Sequence, residues 1–213
     1  MYPRLSLWER RFYRLRYRPW FVGKQFTSDW TSKRFASWRR LLLPLRKQPL
    51  RILEIGSWEG RSAIFFLRFF PEATITCVNT FDGGAGIAPG ISADGVEARF
   101  DANLREFGDR CEKLRMYSTD ALAMLIAQGR IFDLAYIDGS HDVKQISVDS
   151  DGTWQMLASH GLTIWDDYLG GQSLPNPPKS AIDKFCDEHR GEFIVRIDGY
   201  QLAIQKLPTS SLV

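Results

Sequence analysis

Between Pro49 and Phe66 the chain reads PLRILEIGSWEGRSAIFF: a short apolar run that carries a carboxylate, turns through two glycines and opens a helix. Arg51-Ile52-Leu53-Glu54-Ile55 is made of strand formers, Gly56 lets the backbone turn without a Cβ clash, and Ser62 begins an apolar, helix-compatible stretch. A buried strand that feeds a helix through such a turn restricts the chain to an open α/β sheet. In such sheets the free N–H groups at the helix start face a small ligand lying over the strand ends. The spacing is Glu54-x-Gly56-x-x-x-Gly60, and Trp58 takes the place of the middle glycine of G-x-G-x-x-G, which weakens a dinucleotide reading.

The alternation continues down the chain. Thr74–Asn79 has the β-branched content of a second strand, followed by Leu114–Ser118, Ile131–Ile137 and Leu162–Trp165. Helices are predicted over Ser37–Leu45, from Ser62 to near Pro71, and over Val96–Phe107, Ala121–Gln128, Val143–Leu157 and Ser180–His189. Gly83–Asp94 and the proline-rich Gly170–Pro178 read as loops. Glu192–Ile197 and Gln201–Gln205 flank Asp198-Gly199, a turn pair expected in a β-hairpin. The pattern predicts an α/β, doubly wound, mostly parallel sheet with an antiparallel edge. One domain over 49–207 accounts for it, with an extension over 1–48 and a short tail over 208–213.

The 213 residues suffice for a core that buries most of its apolar surface. Cys77, Cys111 and Cys186 are odd in number and irregular in spacing, so they indicate neither a disulfide framework nor a zinc site and point to a reducing cytoplasm. No apolar run approaches the roughly 20 residues of a membrane-spanning helix, and the basic start lacks the apolar region of a signal peptide. The net charge of +3 hides an asymmetry: residues 1–47 hold 13 Lys and Arg against Glu9 and Asp29. Trp8, Phe12, Tyr13, Tyr17, Trp20, Phe21 and Phe26 are interleaved with Arg10, Arg11, Arg14, Arg16 and Arg18. Such an arm fits an acidic membrane surface, a nucleic acid or a neighbouring subunit of a homo-oligomer. It equally fits a solvated helix whose aromatics pack on the domain.

Three motifs stand at predicted strand ends: Glu54-Ile55-Gly56-Ser57-Trp58-Glu59-Gly60-Arg61-Ser62, Tyr136-Ile137-Asp138-Gly139-Ser140-His141 and Ile164-Trp165-Asp166-Asp167-Tyr168. In this order they resemble class I S-adenosylmethionine-dependent methyltransferases, and more narrowly the metal-dependent O-methyltransferases of the catechol and antibiotic-sugar type. The resemblance covers about Pro49 to Leu207 and implies a Rossmann-like, seven-stranded sheet with S-adenosylmethionine as cofactor. It puts Gly56, Ser57, Gly60 and Ser62 along the methionine end with Glu54 close by, and Ser118, Asp120 and Ala121 at the adenine. Where the family holds the ribose with an acid this chain has Asn79, followed by Thr80, with Asp82 nearby. An amide there forgoes a charge-assisted hydrogen bond, worth ~1 kcal/mol more than a neutral one. Asp120 suits a helix N-cap equally well.

Asp138, Asp166 and Asp167 end neighbouring predicted strands, which brings three carboxylates to one rim of the sheet. Their repulsion is best relieved by a hard divalent cation, magnesium being the natural candidate. In the family such an ion holds a substrate hydroxyl and lowers its pKa for attack on the methyl carbon. The other reading has Asp138 on the cofactor and Asp166 capping a loop, with no metal. His141 stands where catechol-type relatives carry a basic lysine, and Ser140 where sugar-modifying relatives use an acid. Imidazole suits a general base near neutral pH, and suits the ordering of a helix start as well. His160, ahead of Gly161 at a predicted helix end, and His189, in the last turn of another helix, read as structural. The implied activity is methyl transfer to a hydroxyl of a small metabolite. Gly83–Asp94 and Gly170–Pro178 would wall the acceptor pocket, Trp58 and Tyr168 would lend aromatic faces, and Phe26–Trp30 would fold over the cofactor. The alternatives are a methyltransferase for RNA or another anionic polymer using the basic arm, and a non-catalytic binding protein of the same fold.

Overall fold

A computed structural model describes residues 6–82, 92–171 and 175–208. Seven strands form one sheet in the order β3-β2-β1-β4-β5-β7-β6. They are β1 (Arg51–Ile55), β2 (Thr74–Asn79), β3 (Cys111–Arg115), β4 (Phe132–Ile137), β5 (Leu157–Trp165), β6 (Phe193–Asp198) and β7 (Leu202–Lys206). The first five are parallel, while β7 runs antiparallel between β5 and β6. The strand order reverses direction between β1 and β4, and in open α/β sheets the crevice at such a switch point is where ligands bind.

Among the described residues seven α-helices flank the sheet: α1 (Leu7–Tyr17), α2 (Phe35–Leu42), α3 (Arg61–Phe69), α4 (Val96–Leu104), α5 (Ser118–Ala127), α6 (Val143–Met156) and α7 (Pro178–Glu188). Strand alternation sends Ile52, Ile75, Leu134 and Ile164 to a core shared with α2, α3 and α4, and Leu53, Ile55, Val78 and Ala135 to a second core under α5, α6 and α7. The first core is aromatic. Phe35 stacks on Phe65 at 4.6 Å, and Trp38 meets Phe66 at 4.9 Å and Tyr136 at 5.1 Å. Tyr17, Phe35 and Trp38 are buried there, so the extension helps to close this face of the sheet.

Several boundaries differ from the sequence reading. The third strand lies at Cys111–Arg115 rather than Leu114–Ser118, and Ser118 opens α5 instead. The apolar content of Leu114 to Met116 drew the reading forward, whereas β2 pairs with Cys111 to Arg115. Asp120 lies in the first turn of α5, whose N-cap is Tyr117 with no side-chain cap. The helix predicted over Val96–Phe107 ends at Leu104 and tightens into a 3-10 segment, Arg105–Arg110. His160 sits inside β5 at φ +63° rather than at a helix end, since α6 passes directly into β5. Residues 83–91 of the predicted loop Gly83–Asp94, residues 172–174 of Gly170–Pro178 and most of the tail lie outside the described residues.

Candidate active site

Gly56 explains how the crevice is built. It takes φ +90°, its N–H bonds Val78 O at 2.9 Å, and a Cβ placed there would sit 2.0 Å from the backbone oxygen of Asp138. The turn after β1 therefore runs hard against the end of β4, and Asp138 N in turn donates to Ile55 O at 2.8 Å. Trp58 adopts φ +46° at the position where the glycine pattern has its middle glycine, so the backbone keeps the left-handed turn and the chain adds an indole to it. That indole meets Trp30 at 5.9 Å.

Over these strand ends lies a cavity of about 620 Å³, within the range of small-ligand sites. Gly56, Trp58, Asn79, Thr80, Ser118, Asp138, Ser140, His141, Asp166 and Asp167 line it, and so do Gly170, Gly171 and Pro178. The remaining candidates sit elsewhere. Glu54, Ser57, Gly60 and Ser62 are buried behind the turn, Ala121 is fully buried under α5, and Asp120 is exposed. Tyr168 packs in the second core and donates to Asp183 at 2.8 Å. Asp82 is exposed and accepts from the Thr80 hydroxyl. Asn79 Oδ1 accepts from Phe81 N at 2.9 Å, which turns its amide nitrogen into the available donor.

Burial pushes the Glu54 carboxyl up, and the nearby Ser62, Ser57 and Cys77 groups offset part of that rise. Cys77 Sγ reaches Oε2 at 3.4 Å, while Oε1 and the hydroxyl of Ser57 have no hydrogen-bond partner. Two orphaned polar atoms behind a glycine turn, a donor at Asn79 and a hydroxyl at Ser118 fit a ligand with a charged amino-acid tail, a ribose and a base.

Asp138, Asp166 and Asp167 each offer a ligand atom within 4.8 Å of the others. Asp138 is held well above the ordinary carboxyl range, first by burial and then by the charges of Asp166 and Asp167; the surface it keeps opens into the cavity. Asp166 is raised by burial too, with Arg34 at 3.4 Å opposing. Burial would also raise Asp167, but the His141 and Tyr200 hydrogen bonds outweigh it and hold Asp167 low. The distances are 2.7 Å from His141 Nε2 to Asp167 Oδ2 and 2.6 Å from Tyr200 Oη to Oδ1. Hard oxygen donors under mutual repulsion fit a divalent cation.

Residues without a catalytic or metal-binding role in the sequence reading complete the site. Trp38 Nε1 donates to Gln201 Oε1 at 3.0 Å, and Gln201 Nε2 donates to Asp166, so α2 and the β6–β7 turn together aim that carboxylate. Tyr136 donates to Asp138 Oδ2 at 2.9 Å. Trp30 and Lys33 reach the cavity, and Thr27 anchors their segment by donating to Glu59 from its N–H (2.7 Å) and hydroxyl (3.0 Å). A hairpin turn carries no local motif, so nothing in the sequence marks Gln201 or Tyr200; of the extension, the stretch Phe26–Trp30 expected to fold over the cofactor does bring Trp30 to the cavity. Gln201→Leu is expected to weaken divalent-cation binding by about tenfold, as loss of a supporting hydrogen bond does at other metal sites, measurable by titration calorimetry.

The sequence matches a family model described as a methyltransferase domain over residues 53–168, more than half of the chain. Three solved structures show the same fold. The MycE methyltransferase from the mycinamycin biosynthetic pathway, in complex with Mg and SAH, is 17% identical with a TM-score of 0.64, over 92% of this chain and 55% of that one. This chain thus spans about half the length of MycE. The Bacillus cereus O-methyltransferase in complex with SAH is 15% identical with a TM-score of 0.61, over 95% and 92%. TomG, an O-methyltransferase from Streptomyces achromogenes involved in tomaymycin synthesis, in complex with SAM, is 17% identical with a TM-score of 0.60, over 96% and 92%. Comparison with curated proteins gives no match. With its glycine turn at the switch point of a 3-2-1-4-5-7-6 sheet, the chain belongs to the methyltransferase-domain family and shares the fold of these three methyltransferase structures.

Proposed function

We propose that this chain transfers a methyl group from S-adenosylmethionine to a hydroxyl of a small acceptor with the help of a divalent cation, magnesium being the natural one. The observation that carries the reading is the triad Asp138, Asp166 and Asp167, gathered within 4.8 Å on the wall of the cavity that Gly56 and Asn79 also line. The solved MycE complex contains Mg and SAH, which supports the pairing. A cation there would supply the charge that acidifies the acceptor hydroxyl, and S-adenosylmethionine the methyl group.

The chain's own residues divide the work. The three aspartates hold the cation, and Tyr136 and Gln201 fix two of them by hydrogen bonds. Gly56, Asn79, Thr80 and Ser118 bind the cofactor, with the orphaned Ser57 hydroxyl and Glu54 carboxyl behind them. His141 takes the acceptor proton: with Nε2–H given to Asp167, Nδ1 is the nitrogen able to receive it. Trp30, Trp58 and the residues around Gly170 exclude water from the acceptor.

The hydrogen bond to Asp167 raises His141 above the ordinary imidazole value, so the neutral base grows in only on the alkaline side of about 6.5. Activity is therefore expected to climb through that region. In His141→Ala the rate should fall by about 10²-fold near neutral pH, with the gap narrowing as the acceptor ionises unaided. A loss of equal size at every pH would assign His141 to positioning instead. The reading as a whole is tested by assaying purified protein for methyl transfer to a panel of phenols and sugars, with magnesium and with chelator. Equal turnover in both would remove the cation from the proposal, and no calorimetric binding of S-adenosylmethionine would remove the activity.

A further inference from the structure

The helix α1 is fixed to the domain by one face and leaves the other in water. Its N-terminus is closed by a reciprocal Ser6–Glu9 capping box. Tyr17 turns inward against Phe65 at 5.2 Å and Phe35 at 5.9 Å, and Glu9 pairs with Arg40 at 2.9 Å. On the opposite side Trp8, Phe12 and Leu15 follow at intervals of four and three residues, which is one stripe along an α-helix. Trp8 is 70% exposed, Leu15 57% and Leu7, at the helix start, 86%. Trp8 and Phe12 stack on each other at 5.2 Å instead of on the core. Single exposed apolar residues are ordinary, but a continuous helical stripe of them marks a surface built to be covered.

Arginines frame the stripe. Arg11 and Arg14 run along one edge and Arg16 along the other, and Arg14 keeps only a long, exposed contact of 3.4 Å with Asp29. At the Arg16 edge, where Tyr17 turns inward, Arg16, Arg39 and Arg46 line one cavity of about 330 Å³. No carboxylate among the described residues pairs with any of the three. Arg39 lies 4.8 Å from the Tyr13 ring and Arg46 5.5 Å from the Phe69 ring, so aromatic faces hold these guanidiniums side by side. Their mutual repulsion is relieved by an anion from outside the chain.

We infer that α1 lays this protein on an anionic lipid bilayer. Leu7, Trp8, Phe12 and Leu15 enter the boundary between headgroups and acyl chains, and Arg16, Arg39 and Arg46 receive a lipid phosphate. The exposed Leu7 and Leu15 favour a bilayer over a nucleic acid, because leucine side chains offer nothing to a phosphodiester. The basic surplus of residues 1–47 favours it over a second copy, whose like-charged arm would repel. None of the described helices is long and apolar enough to cross a membrane, so the contact is interfacial.

The test is flotation of the full chain with vesicles of phosphatidylcholine alone, or of phosphatidylcholine with about 30% phosphatidylglycerol. Flotation with the anionic vesicles only, weakening between about 0.1 and 0.5 M salt, is the expected result. Trp8→Ser with Leu15→Ser, and separately Arg39→Gln with Arg46→Gln, should each lower partition by about tenfold or more, with circular dichroism and melting temperature unchanged. Absent flotation, equal flotation with neutral vesicles, or variants that bind like the parent would overturn the inference. So would release from vesicles by about 10 mM inorganic phosphate, which would identify a soluble ligand. Loss in these variants of self-association seen by light scattering, or of binding to single-stranded RNA, without vesicle binding by the parent would transfer the face to those partners.

Discussion

Asp166→Asn is expected to lower methyl transfer by about 10³-fold, and chelation of divalent cations from the parent protein by as much, while affinity for S-adenosylmethionine stays within about threefold. The substitution keeps the shape of a residue only 7% exposed, so packing changes little. What it removes is one of the two neighbouring charges that, after burial, raise Asp138. With Asp166 neutral, Asp138 and Asp167 share less negative charge, and a cation loses a ligand that Gln201 and Trp38 hold in place. The residues proposed to hold the cofactor, Gly56, Asn79 and Ser118, are different members of the cavity lining, which is why binding and turnover should separate. Quantifying the demethylated cofactor product alongside calorimetric titration measures both quantities. Parallel loss of the two would mean that Asp166 serves the cofactor or the fold.

The second large effect concerns the fold of the crevice. Gly56→Ala should cost about 3 kcal/mol of stability or more, because its new Cβ meets the Asp138 carbonyl oxygen at 2.0 Å and carbon at 2.4 Å while φ stands at +90°. Neither obstacle can swing aside, since both are backbone atoms of Asp138, whose N–H is held by Ile55 O at the end of the β1–β4 ladder. Gly23→Ala supplies the comparison. It has φ +77° with no atom within 4 Å, so it bears the left-handed strain alone and should cost about 1 kcal/mol. Urea denaturation of the two variants separates conformational strain from collision. Equal costs would show that the turn and the end of β4 are looser than this geometry requires.

The sheet is legible because four of the five parallel strands announce themselves as runs of β-branched and aliphatic residues, and because glycine turns and carboxylates punctuate the strand ends. Asp138, Asp166, Asp167 and His141 come together for that reason, as their positions follow from strand ends alone. The third strand was not placed correctly, since Cys111-Glu112-Lys113 is polar and borrows its strand character from pairing with β2. Glu54, Ser57, Gly60 and Ser62 lie buried behind the cavity wall, a depth that a spacing rule does not encode. Gln201, Tyr200, Trp38 and Arg34 were out of reach for another reason: each acts across the fold, from residues distant in sequence, and no local periodicity encodes that. Charge composition singled out the N-terminal arm, but only the helix geometry separates Tyr13 and Tyr17, which anchor it, from Trp8, Phe12 and Leu15, which do not.

The central claim places cofactor and cation in one cavity, and paramagnetic relaxation of the cofactor methyl group reads that directly. With S-adenosylmethionine carrying a ¹³C-labelled methyl and Mn²⁺ titrated as the divalent ion, the methyl resonance of the bound cofactor should broaden strongly in the parent protein and stay sharp in Asp166→Asn. A bound cofactor whose methyl signal is indifferent to Mn²⁺ in the parent would contradict the account.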